Sequence, residues 1–159
     1  MTFVLDMDGT IANLYGEENW LEKLRNFDAT PYRNAKPLCD PDALSIALHR
    51  AIIEAKAEVI ICTWLSKETN KEYDWEVRKA KREWLKAHDI PYTHFRAVPY
   101  GTNKGYAITM LKDGPACIFD DDKRVRDAWY HGPAVNPEEV NIVDYIHAVC
   151  DTLMMTGGK

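Results

Sequence analysis

Phe3-Val4-Leu5-Asp6-Met7-Asp8-Gly9-Thr10 joins a short apolar run to two carboxylates, a glycine and a threonine. The apolar run reads as a buried strand, and the residues after it read as a tight loop. Both carboxylates then stand at a strand's carboxyl end, which is where open α/β sheets bind their ligands.

Three further runs have the same character. Val59-Ile60-Ile61-Cys62 is continuous and β-branched, as in strands buried on both faces, and ends at Thr63-Trp64. Residues 94–98 form a third, less regular strand before Pro99-Tyr100-Gly101, and residues 115–119 a fourth that ends in Asp120-Asp121-Asp122.

Helices are expected between them. Asp40-Pro41 supplies an N-cap and a proline for the first helical position, opening a helix over 41–57 with Leu44, Ala47, Ala51 and Ala55 on its apolar face. Thr69 and Glu72 are spaced as a capping box for a second helix, in which Val77, Ala80, Trp84 and His88 recur at helical spacing, while the Lys and Arg residues between them occupy other faces and most of that charge reads as a solvated face. Thr102-Asn103-Lys104 opens a third, stopping at Gly114 with Ile108 and Leu111 inward, and a short fourth carries Val125, Ala128 and Trp129. Asn136-Pro137 opens the last, with Glu138 and Glu139 favoured by the helix dipole in its first turn; it runs to about Leu153, and residues 155–159 are expected to fray.

Strands alternating with helices at short spacing define an α/β fold: a single Rossmann-like, three-layer α/β/α domain built on a parallel sheet. Residues 11–39 interrupt the alternation. They are too few for a domain and too aromatic for a linker. Residues 19–26 read as a short helix with Trp20, Leu21 and Leu24 on one face, and Asp28-Ala29-Thr30-Pro31 as a turn. A small helical cap over the strand ends is expected.

The composition narrows the function classes. A formal charge of −5 argues against a nonspecific nucleic-acid clamp, whose affinity would come from Lys and Arg neutralising phosphates. No apolar run is long enough to span a membrane. The first strand begins without a basic, apolar leader, so a cytoplasmic protein with no cleaved targeting segment is expected. The four cysteines, Cys39, Cys62, Cys117 and Cys150, are far apart and lack metal-like spacing, which suits buried free thiols.

The strand ends and adjoining loops carry, in order, Asp6 and Asp8, Thr63, Lys104, and Asp120 and Asp121. Each has a bland reading alone: a turn, a cap, a surface lysine, a helix start. Together they describe a carboxylate cluster. Two like charges about 4 Å apart repel by about 4 kcal/mol at an effective dielectric near 20, so such a cluster needs protons or a cation. Oxygen-only ligands suit Mg²⁺, which is held by a few carboxylates plus a substrate phosphate. A free aspartate is ionised at neutral pH and needs no base to act as a nucleophile, so Asp6 suits attack on phosphorus through an aspartyl-phosphate. Asp8, two residues on, suits proton transfer to the leaving oxygen and from water, with Thr63 and Lys104 binding the phosphoryl group.

These residues resemble the haloacid dehalogenase-like phosphohydrolase superfamily. Phe-Val-Leu-Asp6-Met-Asp8-Gly-Thr is similar to its first motif, Ile-Ile-Cys-Thr63 to its second, Lys104 to its third and Ile-Phe-Asp120-Asp121 to its fourth. The resemblance implies Asp6 as nucleophile, Asp8 as general acid/base, Thr63 and Lys104 as phosphate binders, and Mg²⁺ held by Asp6, the Asp8 carbonyl and Asp120 or Asp121. With Glu72-Tyr73-Asp74-Trp75 included, the chain is nearest to the 5'(3')-deoxyribonucleotidase-like group, although Trp64-Leu65 stands where that group has Ser-Pro after the second-motif threonine. The expected substrate is a small phosphorylated metabolite, first a (deoxy)nucleoside monophosphate. A phosphatase for nucleic-acid ends bearing a 3'-phosphate, or a non-catalytic Mg²⁺- and phosphate-binding module, are the alternatives. Trp20, Phe27, Tyr32 and Trp64 either stack on a base or form the core of the cap.

Overall fold

The computed structural model describes residues 1–157. In chain order its elements are β1 (Thr2–Leu5), β2 (Ala12–Asn13), α1 (Trp20–Arg25), α2 (Thr30–Asn34), β3 (Lys36–Pro37), α3 (Pro41–Ile53), β4 (Glu58–Trp64), α4 (Lys71–Ala87), β5 (His94–Val98), α5 (Lys104–Ile108), β6 (Ala116–Phe119), α6 (Lys123–Asp127), β7 (Ala134–Val135) and α7 (Ile142–Gly157).

Five parallel strands form the main sheet in the order β5-β4-β1-β6-β7. Its strands alternate between two apolar layers, which is why their sequences are apolar throughout. Phe3, Leu5, Val59, Ile61, Cys117 and Phe119 pack with α3 and α7, whereas Val4, Ile60, Cys62, Ala116 and Ile118 pack with Ile108, Val125 and Trp129 from the region of α5 and α6. The result is the expected Rossmann-like α/β architecture. Numbered within this sheet alone, the strand order is 3-2-1-4-5, so the chain reverses direction across the sheet between β1 and β6. That is the topological switch point at which such sheets place a crevice.

The insertion leaves and returns through a two-residue antiparallel ribbon, with Ala12 opposite Pro37 and Asn13 opposite Lys36. Its core is Leu14, Leu24, Ala29 and Tyr32, packed on Leu65 and on Tyr73, Val77 and Ala80 of α4. The second half of α4 turns to the sheet, where Trp84 and Leu85 join the main core.

Several element boundaries differ from the sequence reading. Residues 28–31 do not form a plain turn: Asp28 Oδ1 accepts Thr30 N at 2.9 Å, and α2 begins there, with Pro31 at a position where its missing N–H is harmless. Asn70, not Thr69, caps α4 by accepting Tyr73 N at 2.8 Å, while the Thr69 hydroxyl donates to Asp74. The helix after Pro41 ends at Ile53, not residue 57, because Lys56 takes a left-handed φ of 53°. Asn136 caps only a turn. The last helix starts at Ile142 with Asn141 Oδ1 accepting Asp144 N at 3.1 Å, and it continues through Gly157, past the expected fraying point. Gly158 and Lys159 of the expected frayed tail lie outside the described residues. The cysteines are free, with Cys62, Cys117 and Cys150 buried and Cys39 half-buried. Among the described residues no helix is long and apolar enough to cross a membrane.

Candidate active site

The chain turns back immediately after β1. The N–H groups of Thr10, Ile11 and Ala12 converge on Met7 O at 3.1, 3.0 and 2.9 Å. Gly9 adopts φ +84°, and a Cβ on it would stand 2.4 Å from Asp121 Oδ2, so both backbone and space call for glycine. Thr10 ties this loop to the one after β6: its Oγ1 accepts Asp121 N at 3.1 Å and lies 3.2 Å from Asp121 Oδ1 and 3.4 Å from Asp6 Oδ2.

Asp6 lies directly beyond β1 and Asp120 directly beyond β6, the adjacent strands of the switch point, and both are buried. Lys104 opens α5, whose N-cap Asn103 accepts Tyr106 N at 3.0 Å. It is 3% exposed, and its Nζ donates to Asp6 Oδ1 at 2.6 Å and Asp120 Oδ2 at 2.7 Å.

A second buried lysine completes the arrangement. Lys81 of α4 is 0% exposed, and its three N–H groups are all engaged: Asp8 Oδ2 at 2.5 Å, Thr63 Oγ1 at 2.6 Å and Trp64 O at 2.9 Å. The Tyr32 ring centre lies 4.7 Å from the same nitrogen. Reading the charges of this helix as a solvated face fails at Lys81. The signal was in the spacing: Tyr73, Val77, Lys81 and Leu85 recur every four residues and are all buried, so the lysine stands in register with an apolar stripe.

Four carboxylates (Asp6, Asp8, Asp120, Asp121) face two ammonium groups (Lys81, Lys104), a formal excess of two negative charges. The protonation equilibria reflect it. Burial and then the charge of Asp6 push Asp120 up to about 7, and the same two causes push Asp121 up to about 6. Burial raises Asp8 as well, against the opposing pull of Lys81. Burial works against the charge of Lys104, but Asp6 and Asp120 outweigh it and hold the ammonium above its ordinary range. Asp6, Asp120 and Asp121 each offer a carboxylate oxygen within 4.8 Å of the others. All-oxygen donors carrying uncompensated negative charge fit a hard divalent cation.

A cavity of about 370 Å³ opens over this cluster. Asp6, Asp8, Lys104, Asp120 and Asp121 line its floor, and Trp20, Tyr32 and Trp64 its walls. Thr63 is not among the lining residues; it is fully buried, with its hydroxyl accepting from Lys81. Phe27 is not there either: it is 52% exposed and meets the Tyr73 ring edge-on at 5.4 Å. Tyr15, Ser66, Lys67, Tyr100 and Arg124, which no sequence signal singled out, also line the cavity.

No family model matches the chain, and no curated protein matches it. The solved chains that resemble it in fold include two from Pnkp1/Rnl/Hen1 complexes. One, in the structure of the Pnkp1/Rnl/Hen1 complex, superposes with a TM-score of 0.58 at 16% identity, covering 85% of this chain and 44% of that one. The other, in the structure of the Pnkp1/Rnl/Hen1 RNA repair complex, gives 0.56 at 15% identity, covering 85% and 41%. The chain therefore spans less than half the length of the solved chains it matches.

Proposed function

We propose that this protein is a Mg²⁺-dependent phosphomonoesterase of the haloacid dehalogenase-like kind, acting on the 3'-phosphate of nucleic-acid ends. The observation that carries the chemistry is the convergence of Asp6, Asp8, Lys104, Asp120 and Asp121 on one cavity at the β1/β6 switch point. The fold likeness to chains of an RNA repair complex supports nucleic-acid ends as the substrate.

In this reading an Asp6 carboxylate oxygen attacks phosphorus, the ester P–O bond breaks, and protonated Asp8 gives its proton to the leaving oxygen. Asp8 then takes a proton from water as the water oxygen attacks the phosphorus of the aspartyl-phosphate, freeing Asp6 and inorganic phosphate. The raised proton affinity of buried Asp8 suits the first half of that role. Lys104 places a fixed positive charge beside the attacking group, and Thr63, held by Lys81, supports the Asp8 side of the site. Asp6, the Asp8 carbonyl, Asp120 and Asp121 would hold Mg²⁺, which when bound offsets charge on the phosphoryl oxygens.

A nucleoside monophosphate is the second reading. It is favoured by the aromatic walls of the cavity and by a volume within the range of about 300–1,000 Å³ usual for small-ligand sites. Phosphate release with Mg²⁺ from 3'-phosphorylated oligonucleotides and a mononucleotide panel separates the two. Turnover should vanish in Asp6→Asn. Metal binding with no turnover of any phosphomonoester would instead make the chain a non-catalytic binding module.

A further inference from the structure

Beside the phosphate end of the cavity stands an aromatic shelf that the chemistry at Asp6 does not use. Trp64, the last residue of β4, is fixed by its Nε1 donating to Thr102 O at 2.8 Å. Tyr100, 45% exposed, leans on it with ring centres 5.0 Å apart and planes inclined at 53°. Both rings face cations: Lys67 Nζ is 5.6 Å from the centre of Tyr100, and Trp64 has Lys104 Nζ at 5.3 Å and the Arg124 guanidinium at 5.8 Å from its centre. Asp122 accepts from Arg124 Nε and Nη2 at 3.1 and 2.6 Å, which sets the plane of the guanidinium. Its five N–H donors exceed what that one carboxylate takes.

A second cavity of about 260 Å³ lies on the other side of this wall, and Trp64, Lys104 and Arg124 line both. Its remaining lining, including Gly101, Asn103 and Val125, carries no group that phosphate transfer needs. Tyr100 and Lys67 line the first cavity and not the second, so a substrate limited to one nucleotide in the first would leave this second space unfilled.

We propose that the shelf and the second cavity form the subsite for the nucleotide next to the phosphorylated terminal one. Its base stacks on Tyr100, and the intervening phosphodiester is held by Arg124 and Lys67. This rests on the reading of the site as a phosphatase for nucleic-acid ends. Aromatic faces paired with cations are the means by which single strands are bound without sequence preference. Two phosphate contacts are also compatible with an acidic chain, since the attraction is local. They predict a shallow salt dependence for an oligonucleotide, a log–log slope of about −1.4 at most.

The test compares 3'-phosphorylated mono-, di- and tetranucleotides, as RNA and as DNA, with p-nitrophenyl phosphate. The native chain should prefer the dinucleotide to the mononucleotide by at least about fivefold in kcat/KM, the lower end of what one stacked base is worth, with little further gain at four. The RNA and DNA arms report which sugar the subsite accepts. Tyr100→Ala and Arg124→Ala should each reduce the ratio of dinucleotide to p-nitrophenyl phosphate kcat/KM several-fold, and Tyr100→Phe should preserve it. Equal kcat/KM for mono- and dinucleotide in the native chain, or variants that leave the ratio unaltered, would overturn the subsite while leaving the phosphatase reading in place. Absence of turnover on every ester would overturn both.

Discussion

Lys81 Nζ lies 2.5 Å from Asp8 Oδ2 and 2.6 Å from Thr63 Oγ1, so one buried ammonium joins the loop after β1 to the end of β4. Lys104 forms the matching brace on the other side, between Asp6 and Asp120. Each carboxylate of the first loop thus has its own lysine. Their surroundings still differ: Asp6 faces the other acids, whereas Asp8 is aligned by Lys81 of α4, whose ammonium is itself backed by the Tyr32 ring. Two neighbouring carboxylates in unlike environments can divide nucleophile and acid/base roles between them.

Replacing Lys81 with methionine tests that division. The lysine charge pulls Asp8 downward against burial, so its removal should move Asp8 further up and shift the pH optimum of kcat to higher pH. Misplacing a proton donor should also reduce kcat by about 10²-fold. The orphaned Thr63 hydroxyl and Trp64 carbonyl should lower stability by about 1–3 kcal/mol, read from urea unfolding. An unchanged pH profile would assign Lys81 to packing alone.

Trp84 governs how the insertion is attached. Its buried Nε1 donates to Ala35 O at 2.6 Å, just before the chain re-enters through β3. Trp84→Phe keeps most of the ring and leaves the Ala35 carbonyl unpaired, so a stability loss of about 1–3 kcal/mol is expected. Because Tyr32 and Trp20 reach the cavity from the same insertion, KM should rise more than kcat falls. Steady-state kinetics of the variant check this.

The sheet was legible because its strands are buried on both faces: Phe3 and Leu5 look one way and Val4 the other, so nothing polar interrupts the run. Strand β7 was not legible, since two residues, Ala134 and Val135, have no period of their own and are placed by pairing with Ile118 and Phe119. Helix starts failed where two capping residues compete. Asn70 beat Thr69 and Asn141 beat Asn136, because the buried stripe of each helix, not the local motif, sets where it begins. At the site, the acids and Lys104 were visible from their places after strands. Lys81 was hidden by its charge, and Tyr100 and Arg124 by lying on loops and helix ends that only the folded sheet brings together.

Gly9→Ala should damage the site without touching a reacting group. A Cβ there would meet Asp121 oxygens and carbon at 2.4 to 2.9 Å, and the φ of +84° would strain any side chain. The backbone contribution alone is about 1–2 kcal/mol. Displacement of Asp121 should also weaken divalent-cation binding, measured by titration calorimetry with Mg²⁺. An alanine variant with native metal affinity would show that Asp121 is not among the ligands.

The raised acids make stability depend on pH and metal in a defined direction. Asp120 at about 7 and Asp121 at about 6 bind protons more tightly in the folded chain than at their ordinary 3.8. Between about pH 4 and 7 the folded state therefore carries more protons than the unfolded one, and stability falls as pH rises through that window. This contribution is fully present below about pH 4 and gone above about 7. A cation at the cluster replaces those protons, so its stabilising effect should grow over the same range. Thermal melts in chelator should show Tm declining from pH 5 to 7.5, and added Mg²⁺ should raise Tm more at pH 7.5 than at 5. Asp121→Asn should flatten the metal-free slope, because it removes one of the two titrating acids. A metal effect independent of pH would place the cation away from Asp120 and Asp121.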